Sequence, residues 1–170
     1  MMDTYDKNEP FFTKSCVYDK CGFTFGNAAA EKESTDYNAY TFTLNNLKIV
    51  FRSAKITPTK SGQFVTLWKR LGKGPIMPFD NTDAIDLVVI NCMTDNHFGQ
   101  FVFPKSVLIK QGVFTTACKD GKRAIRVYPS WEKTENAQAK KTQKWQSDYF
   151  INFTKNYDEQ KIRFLYGLLF

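Results

Sequence analysis

Ile85-Asp86-Leu87-Val88-Val89-Ile90-Asn91-Cys92 is the stretch from which the rest of this chain is best read. It is an apolar run of strand length, with one acid near its start and one amide near its end. A strand that is apolar on both faces must lie inside a sheet that is covered on both sides. Moving toward the N-terminus, residues 63–70 alternate Phe64, Thr66 and Trp68 against Val65 and Leu67, which predicts a second central strand. Pro58 and Gly62 bend the chain ahead of it, and Gly72-Lys73-Gly74-Pro75 turns it into a short return over 76–79. Residues 40–44 and 47–52 flank Asn45-Asn46; asparagine tolerates left-handed backbone, so this pair predicts a tight hairpin.

On the C-terminal side, residues 98–103 predict a strand ended by Pro104, and 106–110 a short helical turn before Gly112. Residues 122–128 predict a strand with Arg123, Ile125 and Val127 on one side and Ala124, Arg126 and Tyr128 on the other. The period then changes. At ~100° per residue, Thr142, Trp145, Gln146, Tyr149 and Phe153 share one face of a helix over 135–153, and Lys140, Lys141 and Lys144 share the opposite one. Residues 158–170 predict a final amphipathic helix with Ile162, Leu165, Leu168 and Leu169 turned inward. In the first 36 residues, 11–17 suit a short helix and 22–26 a turn, while Ala28-Ala29-Ala30 with Glu31-Lys32-Glu33 suits either a helical turn or a linker.

The chain has 170 residues, 42% hydrophobic and 24% charged, which predicts one globular domain rather than a disordered chain. Aromatic residues reach 16%, in keeping with a strand-rich core. The net charge of +7 is unevenly placed: residues 46–74 carry seven cations and no acid, and residues 98–145 carry ten cations and three acids. Two basic blocks separated by acidic spacers predict a sided molecule that attracts polyanions, if the blocks meet in the fold. Four residues separate Cys16 from Cys21, but His97 is the only histidine and no second close pair follows, so no zinc site is expected. No secretory leader and no apolar run of membrane-spanning length is read, which predicts a cytoplasmic protein with reduced thiols and no membrane insertion. The sequence carries no signal for oligomeric state.

Four stretches in order resemble the MepB family, named for a gene beside a bacterial multidrug-efflux pump. They are residues 55–70 (Lys55-Ile56-Thr57-Pro58 through Trp68-Lys69-Arg70), 99–105 (Gly99-Gln100-Phe101 through Lys105), 121–131 (Gly121-Lys122-Arg123 through Trp131) and 141–146 (Lys141 through Gln146). The resemblance spans about residues 50–155, so 37–170 is read as the family-like domain and 1–36 as an N-terminal segment without assigned structure. It implies an α/β fold (α+β) in which a mixed sheet is flanked by helices, of restriction-endonuclease-like architecture.

Metal-dependent nucleases of that architecture hold Mg²⁺ between an Asp on one strand and the acid of a D/E-x-K on the next. Here Asp86 and Lys105 match two positions, but Phe103 stands where the second acid belongs, so no catalytic residue or metal ligand is assigned. Asp80 and Asp83 suit a turn and a strand cap, or an acidic cluster with Asp86 and Glu132. The leading expectation is a non-catalytic, sequence-independent nucleic-acid-binding protein with no cofactor. Its phosphate grip is expected from Arg52, Lys55, Lys60, Lys69, Arg70, Lys105, Arg123, Arg126, Lys140, Lys141 and Lys144. Tyr128 and Trp131 are read either as base-stacking rings or as core, and Trp68 and Trp145 as core. The alternatives are a Mg²⁺-dependent nuclease-like enzyme with a rearranged site, and a protein-interaction accessory module linked to multidrug efflux.

Overall fold

Both faces of residues 87–92 are buried, as their composition requires, while Asp86 ahead of them is exposed. The computed structural model describes residues 6–154 and 156–167. Helix α1 (Pro10–Thr13) runs into a π-helical turn (Lys14–Tyr18), and strand β1 (Phe25–Ala30) follows. The hairpin of β2 (Tyr40–Leu44) and β3 (Leu47–Ser53) leads into four short strands: β4 (Lys55–Ile56), β5 (Gln63–Thr66), β6 (Trp68–Arg70) and β7 (Ile76–Pro78). Then come β8 (Leu87–Met93), β9 (Phe98–Pro104), α2 (Lys105–Lys110), β10 (Ala124–Val127), α3 (Ala137–Gln146), β11 (Phe150–Asn152) and α4 (Glu159–Leu165).

The main sheet has the order β1-β2-β3-β8-β9-β11 and is mixed, because β3 and β8 run parallel while its other neighbours are antiparallel. A parallel pair needs a crossover connection. Residues 54–86 supply it, and on the way they carry the two-stranded β6-β7 ribbon and the strands β4 and β5, which the later β10 joins in a three-stranded sheet of order β10-β5-β4. Val88, Ile90 and Cys92 face this crossover layer together with Phe101 and Phe103, while Leu87, Val89 and Val102 face the opposite layer with Val17, Tyr18, Phe23, Ile162 and Leu165. Each fully buried Val or Ile of β8 contributes on the order of 1.5–3 kcal/mol, which fixes this strand at the centre.

The Asn45-Asn46 turn forms as expected, with φ of 49° and 68° in the left-handed region. Three expectations need correction. Residues 28–30 are neither helical turn nor linker: Ala29 and Ala30 pair with Thr41 and Tyr40 at the edge of the main sheet, after a bulge where Asn27 takes φ 53°. Alanine by itself favours helix, so pairing with the edge of β2 overrides the local preference here. Residues 63–70 do not enter the main sheet; β5 is the middle strand of the small one, and the run breaks at Leu67 before β6. The helix expected over 135–153 stops at Gln146, and after a 3-10 turn (Ser147–Tyr149) residues Phe150–Asn152 pair with β9. Gly99 permits this, because a side chain there would collide with the Phe150 ring. Phe153 therefore stacks on Phe98 at a sheet edge rather than docking a helix. In the last segment Ile162 and Leu165 are buried as expected; Leu168 and Leu169 lie outside the described residues.

Candidate functional site

The bend at residues 57–62 is held from three sides. Gly62 takes φ 78° and packs under the Tyr128 ring, so that a Cβ there would lie 2.6 Å from the ring. Its N–H donates to Glu132 Oε1 at 2.8 Å. Arg126 donates to the carbonyls of Ser61 and Gly62 at 3.1 and 3.4 Å and to Thr57 Oγ1 at 2.7 Å. A long cation thus organises a turn that Pro58 and Gly62 begin.

Helix α3 is attached to the same region by two glutamines. Gln146, 1% exposed, accepts from the Tyr128 N–H at 2.8 Å and donates to the Arg126 carbonyl at 3.0 Å, so its amide serves the open edge of β10 as a neighbouring strand would. Gln143 donates to the carbonyls of Pro129 and Glu132. Asn136 caps the helix start by accepting from the Ala139 N–H at 2.8 Å.

Between the bend, β10 and the first turns of α3 lies a cleft of about 1020 Å³. Lys60, Lys122, Arg126 and Lys141 line it with one acid, Glu135, and Tyr128 and Trp145 line it as aromatic side chains. Lys60 comes from the first basic block and the other three from the second, so parts of the two blocks meet here. Four of the residues expected from sequence gather in this cleft: Lys60, Arg126, Tyr128 and Lys141. Lys122 belongs with them and was overlooked, although it precedes the alternating run on the same side as Ala124, Arg126 and Tyr128.

The remaining expected residues lie elsewhere. Arg52 is 1% exposed and paired with Glu31, so it is not available as a surface grip. Burial pulls its guanidinium below the ordinary value and pushes the Glu31 carboxyl above it, in spite of their attraction. Lys69 is held by Asp80 and Asp83, both at 2.7 Å. Its bonds raise its pKa against the effect of burial, and the hydrogen bond from Lys69 is the main cause that holds Asp80 well below the usual carboxylate range. Arg70 pairs with Glu33 at 2.8 Å and stacks on Trp68. Lys55 lies over Tyr37, 5.1 Å from the ring centre, and Arg123 donates to the Ile76 carbonyl. Lys140 and Lys144 are exposed outside the cleft; Lys141 departs from their stripe to line it.

Strand pairing does bring Asp86 and Lys105 together, since the Lys105 N–H donates to the Asp86 carbonyl at 3.1 Å. Their side chains point to other work. Asp86 Oδ2 accepts from the Lys48 N–H at 2.7 Å, and Lys105 Nζ donates to the Asp83 carbonyl. Phe103 is fully buried against Phe101 and Trp145. Asp80 and Asp83 clamp Lys69 whereas Glu132 anchors the bend at Gly62, so these acids form no single cluster. Among the described residues no group of three or more His, Cys, Asp or Glu side chains is placed to hold a metal ion. Trp131 packs with His97 and Phe150, taking the core option of its two readings. No described helix is long and apolar enough to cross a membrane.

The MepB-like family model matches residues 31–152. A solved crystal structure of MepB is 34% identical, covers 86% of this chain and 97% of its own, and superposes with a TM-score of 0.77. No curated protein matches the chain.

Proposed function

This chain belongs to the MepB-like family, and from that premise we propose that it is a non-catalytic, sequence-independent nucleic-acid-binding protein whose grip lies in the cleft between β10, the 57–62 bend and α3. The observation that carries this reading is the convergence of Lys60, Lys122, Arg126 and Lys141 on one concavity that also exposes Tyr128 and Trp145. Phosphates are attracted by such a set through Coulomb energy and counterion release, and aromatic faces accept bases without regard to sequence. Arg126 acts on the ligand mainly as a fixed charge, because its donors already hold the bend. The four free cysteines accord with a cytoplasmic setting, and the mixed sheet between helical layers is compatible with a restriction-endonuclease-like arrangement.

Fluorescence anisotropy with labelled DNA and RNA oligonucleotides at several salt concentrations tests the proposal. Binding is expected to weaken linearly in a plot of log K against log salt, and Lys60→Ala or Lys141→Ala to reduce the slope by about one unit each. Both lysines are exposed, so thermal melting of the variants should match the parent. Absence of binding to every oligonucleotide at low salt would overturn the proposal.

A further inference from the structure

We infer that the protein has a second binding site, in a cavity on the sheet face at β2 and β3, which takes a small apolar carboxylate. The cavity holds about 430 Å³ and shares no lining residue with the cleft. Strand register makes its floor. Thr43 lies opposite Lys48 and Thr41 opposite Val50, so these four side chains stand on one face of the sheet, the face that the crossover layer covers at Val50. Phe79, Ala84 and Ile85 of the crossover form the facing wall, and Phe79 and Ile85 pack in the same core as Val50. Thr41 and Thr43 are only half-buried, so the crossover layer meets the sheet at β3 and leaves a recess over β2. A recess of this size falls in the range of small-molecule sites, about 300–1,000 Å³, and its apolar wall suits a compact ring system.

The sign of the ligand's charge follows from which lining groups are already committed. Glu31, Lys48 and Asp83 are the charged residues of the lining. Glu31 is paired with Arg52. Asp83 accepts from Lys69 Nζ at 2.7 Å with one oxygen and from the Asp80 N–H at 2.8 Å with the other. Asp86 stands beside Lys48, but its carboxylate accepts from the Lys48 backbone N–H at 2.7 Å. Among the described residues no acid is in ion-pair contact with the Lys48 ammonium, which leaves it as the lining charge without a fixed partner. The Thr41 hydroxyl is a second donor that makes no hydrogen bond of its own among the described residues. A carboxylate accepts from both donors while its apolar body lies against Phe79 and Ile85. An ammonium head would instead meet Lys48 and find Glu31 and Asp83 engaged.

The test uses the full chain and three probes of one shape: 2-naphthylacetate, the corresponding alcohol and the corresponding amine. Each is titrated by calorimetry at about 0.15 M salt, where attraction to the basic surface at large is screened. The acid is expected to saturate one site and to bind about tenfold tighter than the alcohol, as one charge-assisted hydrogen bond gives, with the amine weakest. Lys48→Ala should reduce the affinity for the acid to that for the alcohol. Lys20→Ala removes an equal charge from an exposed position outside the cavity and should leave the affinity unchanged. Ala84→Phe fills the recess from an exposed position, so it should abolish binding of acid and alcohol alike while the melting curve matches the parent. No binding of the acid overturns the inference, and so does equal or tighter binding of the amine. Affinity for the acid that is unchanged in either Lys48→Ala or Ala84→Phe places the ligand elsewhere and also overturns it. None of these outcomes depends on oligonucleotide binding at the cleft.

Discussion

Gln146 shows how much of this site depends on single polar atoms. Its amide satisfies the Arg126 carbonyl of β10 and the Tyr128 N–H just past the end of that strand. Gln146→Ala leaves both without a partner and should cost about 2–4 kcal/mol, read from urea denaturation. Gly62→Ala places a methyl into the Tyr128 ring at a positive φ, and a loss of about 1–3 kcal/mol is expected by the same measurement. Arg52 and Glu31 are an asymmetric pair: Glu31→Ala strands a buried guanidinium and should cost near the lower end of about 3–5 kcal/mol, since Glu31 keeps some contact with water, whereas Arg52→Met should cost less. Acid sensitivity belongs to Asp80. Its carboxyl is held below the usual range by Lys69, so its contribution is complete above the unfolded value of about 3.9 and is lost as pH falls below it. Thermal midpoints should be level above about pH 5 and fall below about pH 4, and the fall should be shallower in Asp80→Asn.

Strands that are apolar on both faces were legible from composition, because only a covered central position accommodates Val88, Val89 and Ile90 in succession. The hairpin was legible through Asn45-Asn46, whose backbone preference is local. Residues 63–70 were harder: two apolar faces also arise when a short strand lies between the main sheet and a cover of its own, here Tyr37 on Phe64 and Ser34 on Thr66. The end of α3 was illegible because a helical period continues to Phe153, while the strand that ends it depends on the space left by Gly99, 51 positions before Phe150. The same limit applied to the site. Lys60, Arg126, Tyr128 and Lys141 could be proposed as cations and a ring, but their separation from Arg52, Lys69 and Arg70 depended on acids at 31, 33, 80 and 83 finding those partners. Within α3, Lys141→Ala should reduce oligonucleotide binding more than Lys140→Ala or Lys144→Ala, although all three look alike on a helical projection.

At the scale of the molecule, the N-terminal residues are part of the core and not an appendage. Tyr18 and Tyr166 share a 2.6 Å hydrogen bond, Tyr166 donates to Gln100 Oε1 at 2.6 Å, and Gln100 donates to Asn91 Oδ1 at 2.7 Å. This buried chain ties the first turns and α4 to the middle of the sheet, and burial pushes both tyrosines well above their ordinary pKa. Removal of residues 1–24 would take away Val17, Tyr18 and Phe23 and expose the sheet face that they cover. Circular dichroism of that truncation should show loss of the cooperative thermal transition; an unchanged melting curve would contradict the described packing. The charge pattern was likewise only partly informative, since the acidic spacers do not merely separate the basic blocks but neutralise particular members of them.

The glutamine seam between β10 and α3 has a consequence in time. A backbone amide in a sheet normally stays closed until its neighbouring strand leaves, but the Tyr128 amide is covered only by the side chain of Gln146. Its exchange with deuterium therefore records each lifting of α3 from the small sheet, without waiting for the sheet to open. The Tyr128 amide should exchange faster than that of Val89 in the central strand, and an oligonucleotide lodged between β10 and α3 should slow it. One amide thus becomes a clock for the opening and closing of the cleft.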